Sequence, residues 1–296
     1  MLVGRPGVGK TMVLLWIADR ILRGGEMPDG SVIEPAHGDI MWIDTEGTQA
    51  LVVERLNRLG ADKSRFFWPR DPAKPGDLFP AIDLSKPRWA DIVFDMAIHR
   101  RPAAIIVDSL RGSFRGSEKE SGELQDVLIR AAALARDVRC VHLLSHHLRK
   151  PPPGERLEVD LDSVRGSTVI PAMARVLMAV DQPDPSSERR RLRVLKSNLS
   201  AFPKPLGLSI GDSIDWTTAP EAPHRETVVE RAREFLLARL ADGPVPSTEL
   251  MQEAQAQGIS RSSLFKAKDA GFVVAVRTGG ATGRWVWSLK SPREEP

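Results

Sequence analysis

Gly4-Arg5-Pro6-Gly7-Val8-Gly9-Lys10-Thr11 is the stretch that decides how the rest of this chain is read. It fits G-x-x-x-x-G-K-[ST], a phosphate-binding loop set between a strand and a helix. Glycines bring backbone N–H groups close to phosphate oxygens without Cβ clashes. The helix that follows turns the positive end of its dipole toward the same anion. Gly4, Gly7, Val8, Gly9, Lys10 and Thr11 are the expected nucleotide contacts. In such a loop the lysine reaches the β- and γ-phosphates and the threonine hydroxyl ligates magnesium, so ATP and Mg2+ are the expected cofactors. A P-loop normally follows a buried strand. Only Leu2 and Val3 remain of one here, and the strand is expected to be cut short at its start.

Composition sets wide bounds. Of 296 residues, 42% are hydrophobic and 27% charged, as expected of a globular chain with one large and one small domain. The net charge of +3 permits an anionic partner without demanding one. The single cysteine, Cys140, has no internal disulfide partner and reads as a buried thiol. No apolar run reaches about 18 residues. The expectation is a cytoplasmic protein with no membrane association.

Downstream of the P-loop, apolar patterns alternate between helical and strand periods. Leu14 to Leu22 reads as a helix closed by Gly24-Gly25, and Met27 to Gly38 as a loop. Ile40-Met41-Trp42-Ile43 reads as a buried strand running into Asp44-Thr45-Glu46. A helix follows with Leu51, Val52, Leu56 and Leu59 inward, then a proline-rich loop over 62–88 and a helix from Trp89. Ala103 to Ser109 is a strand ending in an acid, Asp108. Leu124 to Ala135 is a helix, and Val138 to Ser145 a strand leading into His146-His147. Ala172–Val180 and Arg191–Lys196 read as strands, and Leu206–Ile210 with Ile214–Trp216 as a final hairpin. This alternation predicts an α/β fold with a mainly parallel sheet and sites at the strands' carboxyl ends.

Residues 217–226, with Pro220 and Pro223, form the expected linker between an ATPase domain over 1–216 and a module over 227–290, with a tail over 291–296. In the module, one helix runs over Val228–Leu240, a second is capped by Ser247 and ended by Gly258, and a third is capped by Ser260. Phe272–Arg277 and Arg284–Leu289 alternate as strands. Three helices and a hairpin are the winged-helix arrangement. From Gly258 to Lys290 there are six basic residues against one acid, Asp269. Arg261, Lys266, Lys268, Arg277 and Arg284 are therefore the expected DNA contacts.

Asp108, at a strand end downstream of a P-loop, stands in the Walker B setting, where a carboxylate holds magnesium together with Thr11. Glu46 is the expected base that orients the attacking water, with Asp44 as the competing acid. The run Ile43-Asp44-Thr45-Glu46-Gly47-Thr48 resembles the corresponding stretch of RecA-like recombinases, in which the glutamate is that base. His146-His147-Leu148-Arg149-Lys150 resembles the His-His-x-x-Lys of the RepA-like hexameric helicases, within the RecA-type ATPase superfamily. That resemblance implies a RecA-like core and His146 as γ-phosphate sensor. It also implies that Arg165, in Arg165-Gly166-Ser167, or Lys196, in Lys196-Ser197-Asn198, reaches a neighbouring subunit's nucleotide in a ring, as a hexamer. The tail resembles the C-terminal modules of prophage and mobile-element primase-helicase proteins. Together these imply an ATP-driven DNA helicase acting on single-stranded DNA, the module touching duplex. A RecA-like recombination or regulatory ATPase, and a DNA-binding adaptor with an inactive ATPase core, stay open as alternatives.

Overall fold

The computed structural model describes residues 1–77, 80, 82–113, 121–149, 159–164, 169–221, 228–278 and 283–290. The chain divides into two compact units, Met1–Ala222 and Pro223–Pro296.

The first unit opens with strand β1 (Leu2–Gly4), the P-loop and helix α1 (Lys10–Arg23). A short hairpin follows, β2 (Gly25–Glu26) at the expected helix end with β3 (Val32–Ile33) inside the expected loop. Next come β4 (Ile40–Asp44), α2 (Gln49–Arg58), β5 (Phe66–Phe67), α3 (Pro87–Arg100), β6 (Ala104–Asp108), α4 (Ser121–Val138) and β7 (Val141–His147). Helix α5 (Val169–Met173) leads into β8 (Val176–Asp181), β9 (Arg190–Ser197), β10 (Leu206–Ile210) and β11 (Ile214–Thr218). Nine strands form one sheet in the order β11-β10-β9-β8-β1-β7-β6-β4-β5. The run from β8 to β5 is parallel, and β9, β10 and β11 add antiparallel strands beyond it.

Both faces of the parallel part are covered, which is why its strands read as unbroken apolar runs. Ile40, Trp42, Ala104 and Ile106 pack with Val13, Leu14 and Leu15 of α1 and Val52 and Leu56 of α2. The alternate residues Met41, Ile43, Ile105 and Val107 pack with Val93 of α3 and Leu124, Val127 and Leu128 of α4 on the other face. Each such aliphatic side chain taken fully out of water stabilises the fold by about 1.5–3 kcal/mol. Among the described residues no helix is long and apolar enough to cross a membrane.

Several sequence expectations shift. Val138 ends α4 and does not open β7: Arg139 takes a left-handed φ of 59° and lets the Cys140 N–H reach the Ala135 carbonyl at 3.0 Å, a closure that stops helices. Ala172 and Met173 belong to α5, and the strand begins at Val176. Leu51 is 40% exposed, because the inward stripe of α2 is set by Val52 and Leu56 and Leu51 lies about 100° around the helix from Val52. Thr217 and Thr218, assigned to the linker, are paired in β11.

The second unit contains α6 (Val228–Leu240), β12 (Val245–Pro246), α7 (Ser247–Ala256), α8 (Arg261–Lys268), β13 (Val273–Thr278) and β14 (Arg284–Leu289). The strands form an antiparallel sheet in the order β12-β14-β13. Its core gathers Phe235, Leu236 and Leu240 of α6, Leu250 of α7, Leu264 of α8 and Trp287 of β14. Arg239 ties α6 to α7 through Glu253 (2.6 Å) and Glu249 (3.0 Å). Ser260 caps α8 by accepting from the Ser263 N–H at 3.2 Å. Ser247 does not cap α7: Pro246 holds that position, paired in β12 with Val286, and Ser247 is already helical.

Candidate nucleotide-binding and hydrolysis site

Four strand ends converge at one edge of the sheet. β1 delivers the P-loop, and β7, β6 and β4 lie in order on one side of it. Gly7 (φ 75°) and Gly9 (φ 99°) both take left-handed backbone, which lets the loop fold round an anion. A Cβ on Gly7 would meet no atom within 4 Å, so the loop's mouth is open; one on Gly4 would stand 2.7 Å from the Val180 carbonyl, where β1 packs against β8. Val8 is buried in the α1-side core and anchors the loop from beneath.

Lys10 folds back along the loop. Its Nζ donates to the carbonyls of Gly4 and Arg5 at 3.1 Å each and lies 3.3 Å from His147 Nδ1. Burial lowers its pKa, while the negative charges of Asp108 and Glu46 act to raise it. No carboxylate bonds the ammonium among the described residues, so its charge is available to phosphate. The Thr11 hydroxyl donates to Asp108 Oδ2 at 2.7 Å, and the Ser145 hydroxyl donates to Asp108 Oδ1 at 2.5 Å. Two hard oxygen ligands thus stand side by side at the start of α1, the donor set that suits magnesium.

The β4 and β6 ends are stapled together. The Thr45 hydroxyl donates to the Ser109 carbonyl (2.7 Å) and accepts from the Ser109 N–H (2.9 Å). This places the two acids at the β4 end in different surroundings. Asp44 is buried; its Oδ1 accepts the Glu46 N–H at 2.9 Å and holds the turn into α2. Its Oδ2 finds no partner among the described residues, and burial pushes its pKa up. Glu46 projects into the site, where Ser109 Oγ donates to Oε1 at 2.6 Å and His147 Nε2 lies 3.6 Å away. The His147 imidazole first, then Ser109 and Lys10, bring the Glu46 pKa down to about 2. An acid held that low is a permanent carboxylate, suited to orienting water as a hydrogen-bond acceptor and a weak proton acceptor.

His146, the expected sensor, and His147 face opposite sides of the sheet. Parallel pairing sets Val3 beside His146 and Gly4 beside His147. Successive strand residues face opposite sides of a sheet. Ser145 and His147 therefore share the face of the P-loop helix, and His146 is fully buried, its ring centroid 6.4 Å from that of His147. It is His147, not His146, that spans Lys10 and Glu46. Ser109 and Ser145 carry no motif in the sequence, although period-two alternation puts Ser145 on the face of His147.

Of the two basic candidates for an inter-subunit role, Arg165 falls outside the described residues, as does Lys150 of the His-His-x-x-Lys run. Lys196 pairs with Leu177 near the start of β8, whereas Gly4 pairs with Val180 and, across it, Leu192. Four residues of strand put Lys196 about 13 Å along β9 from the row of its own P-loop. Its Nζ donates to the carbonyls of Pro171 (2.8 Å) and Ala172 (3.0 Å). Arg175, exposed, precedes β8 at the same end of the sheet.

In the second unit Arg261, Lys266, Arg277 and Arg284 are exposed on α8, β13 and β14. Lys268 is folded inward, its Nζ 5.7 Å from the centre of the Phe265 ring and 5.5 Å from that of Trp287. Trp285 is 52% exposed and pairs with Arg277 across the strands, while Trp287 is in the core.

A glycine-rich loop, an inward lysine, a threonine–aspartate oxygen pair and a carboxylate at the next strand end, on a mainly parallel sheet, define a P-loop ATPase. Residues 1–153 match a family model described as an AAA domain, and the chain belongs to that family. A KaiC-like protein from the hyperthermophilic archaeon Pyrococcus horikoshii is similar in structure, with a TM-score of 0.52 and 14% identity, over 73% of this chain and 88% of that one. At that identity the likeness is one of fold.

Proposed function

We propose that this protein is an ATP-hydrolysing nucleic-acid motor, a RepA-like replicative DNA helicase that works in the cytoplasm as a ring, as a hexamer. The observation that carries this reading is the position of His147, which touches both the phosphate-binding Lys10 (3.3 Å) and the carboxylate of Glu46 (3.6 Å). A strand that feels both groups relays the state of the γ-phosphate into the sheet, which a motor needs.

The P-loop N–H groups and Lys10 bind the β- and γ-phosphates. Thr11 and Asp108 would hold a magnesium ion, which would neutralise charge on the phosphate oxygens. Glu46 orients a water whose oxygen bonds to the γ-phosphorus as the bond to the ADP oxygen breaks. Lys196, Arg165 or the exposed Arg175 completes the site of the neighbouring subunit. The Lys196 end of the sheet lies too far along β9 to serve its own P-loop. The second unit acts as a winged-helix module, with Arg261, Lys266, Arg277 and Arg284 on DNA phosphates; Lys268, held on Phe265 and Trp287, serves the fold first.

The test is ATP hydrolysis with and without single-stranded DNA, beside strand separation of a forked duplex. Stimulation by DNA with unwinding is the expected result. Hydrolysis that ignores DNA, together with no unwinding, overturns the motor. Filaments on DNA in place of closed rings turn the reading to recombination.

A further inference from the structure

The P-loop has a second flank. The γ-phosphate side is fixed by Asp108 of β6, His147 of β7 and Glu46 just beyond β4, on one side of β1. A nucleotide whose γ-phosphate faces those residues must carry its α-phosphate and nucleoside toward the other side, where β8, β9 and β10 lie. Gly9 closes the loop on that side. A Cβ there would stand 2.1 Å from Ile210 Cδ1 of β10 and 4.0 Å from Arg190 Nε of β9. Arg190 pairs with Leu208, so its side chain shares the face of Leu208 and Ile210, against α1. Its Nη1 donates to the Glu188 carbonyl at 3.0 Å, while its buried Nε has no hydrogen-bond partner among the described residues. A buried guanidinium N–H left unpaired is costly. This one lies beside the loop that binds the most highly charged part of the nucleotide.

We propose that Arg190 binds the α-phosphate of the nucleotide held by its own P-loop. The inference rests on the P-loop reading above and adds a contact to the same site. The planar fork of arginine offers a phosphate two parallel N–H donors, and the orphaned Nε is one of them. Because the contact is to the α-phosphate, it serves ADP and ATP alike and leaves the reacting γ-phosphate untouched.

The experiment measures the affinity of the full chain for ADP and for a non-hydrolysable ATP analogue, both with Mg2+. Arg190→Ala, Arg190→Gln and Arg190→Lys are compared with wild type, and kcat is taken at saturating ATP. Loss of a charge-assisted phosphate contact predicts binding weaker by about tenfold to a hundredfold, by the same factor for both nucleotides. The kcat at saturation stays within about threefold of wild type, since uniform binding leaves the chemical step alone. Arg190→Lys recovers part of the affinity and Arg190→Gln, close in shape, recovers none. Unchanged affinity in the variants, with wild type binding normally, overturns this proposal and leaves the P-loop reading standing. A loss confined to the triphosphate together with a fall in kcat also overturns it, by putting Arg190 at the γ-phosphate. Wild-type protein that binds neither nucleotide overturns both.

Discussion

Replacing Glu46 with Gln removes one charge from the site and almost no volume. In the wild type, Glu46 Oε1 accepts the Ser109 hydroxyl at 2.6 Å, and the His147 imidazole, 3.6 Å away, is the main reason its pKa falls to about 2. The amide keeps an acceptor for Ser109 but loses the charge that orders an attacking water. The expected fall in kcat is on the order of 10²–10⁴, the contribution of a positioned base. Stability is expected to change little. The side chain is 45% exposed, and screened ion pairs of this kind contribute about 0–1 kcal/mol. The depressed pKa also fixes the pH behaviour. A carboxylate lowered from 4.5 to about 2 on folding stabilises the protein above its unfolded value, and that contribution is lost as pH falls through about 2. Well above that value Glu46 stays ionised. Any acid limb of the rate profile near neutrality therefore belongs to another group and persists in Glu46→Gln. The assays are steady-state phosphate release across pH 4–9 and filter binding of ATP. Near-wild-type turnover in Glu46→Gln, or the slow, ATP-retaining phenotype appearing in Asp44→Asn instead, refutes the assignment.

Asp44→Asn is expected to keep hydrolysis within about tenfold and to raise the melting temperature at pH 7. Burial raises the Asp44 pKa, so its ionised form weakens the fold at neutral pH, and that handicap fades as pH falls through the raised folded-state value and is gone below the ordinary 3.8; a lower melting temperature at pH 7 than wild type contradicts this. His147→Ala is expected to uncouple hydrolysis from DNA, while His146→Ala destabilises by leaving a cavity at a fully buried position without altering nucleotide affinity; equal kinetic phenotypes argue against the reassignment. Leu236→Ala, at a fully buried site, is expected to cost about 2–5 kcal/mol in the second unit alone, read as new protease cleavage after residue 228 with ATPase activity retained. Arg261→Ala and Arg284→Ala are each expected to reduce the salt slope of DNA binding by about one; an unchanged slope removes them from the phosphate contacts.

Much of the fold is legible because its parallel strands are buried on both faces. Ile40 to Ile43 and Ala104 to Val107 are unbroken apolar runs for that reason, and each ends on its acid. What the chain conceals is non-local. The choice between His146 and His147 depends on the register of β7 against β1, a pairing across more than 140 residues that no local pattern encodes. Arg190 and Ser145 carry no motif, and each gains meaning only from a neighbouring strand. The two-residue β5 and the five-residue α5 are too short for periodicity to speak. Lys268 shows the converse: its charge and its place on a basic helix predict a DNA contact, while its ammonium lies over the Phe265 and Trp287 rings.

The claim on which everything else depends is that the cluster of Lys10, Thr11, Asp108, Glu46 and His147 hydrolyses ATP. Single-turnover hydrolysis of γ-labelled ATP by the purified full chain, beside Lys10→Ala, measures it directly. Wild type is expected to release labelled phosphate in the presence of Mg2+, and Lys10→Ala, whose buried charge facing the phosphates is gone, neither to bind nucleotide tightly nor to release phosphate. Release by Lys10→Ala at the wild-type rate, or a wild type that binds ATP and never cleaves it, contradicts it.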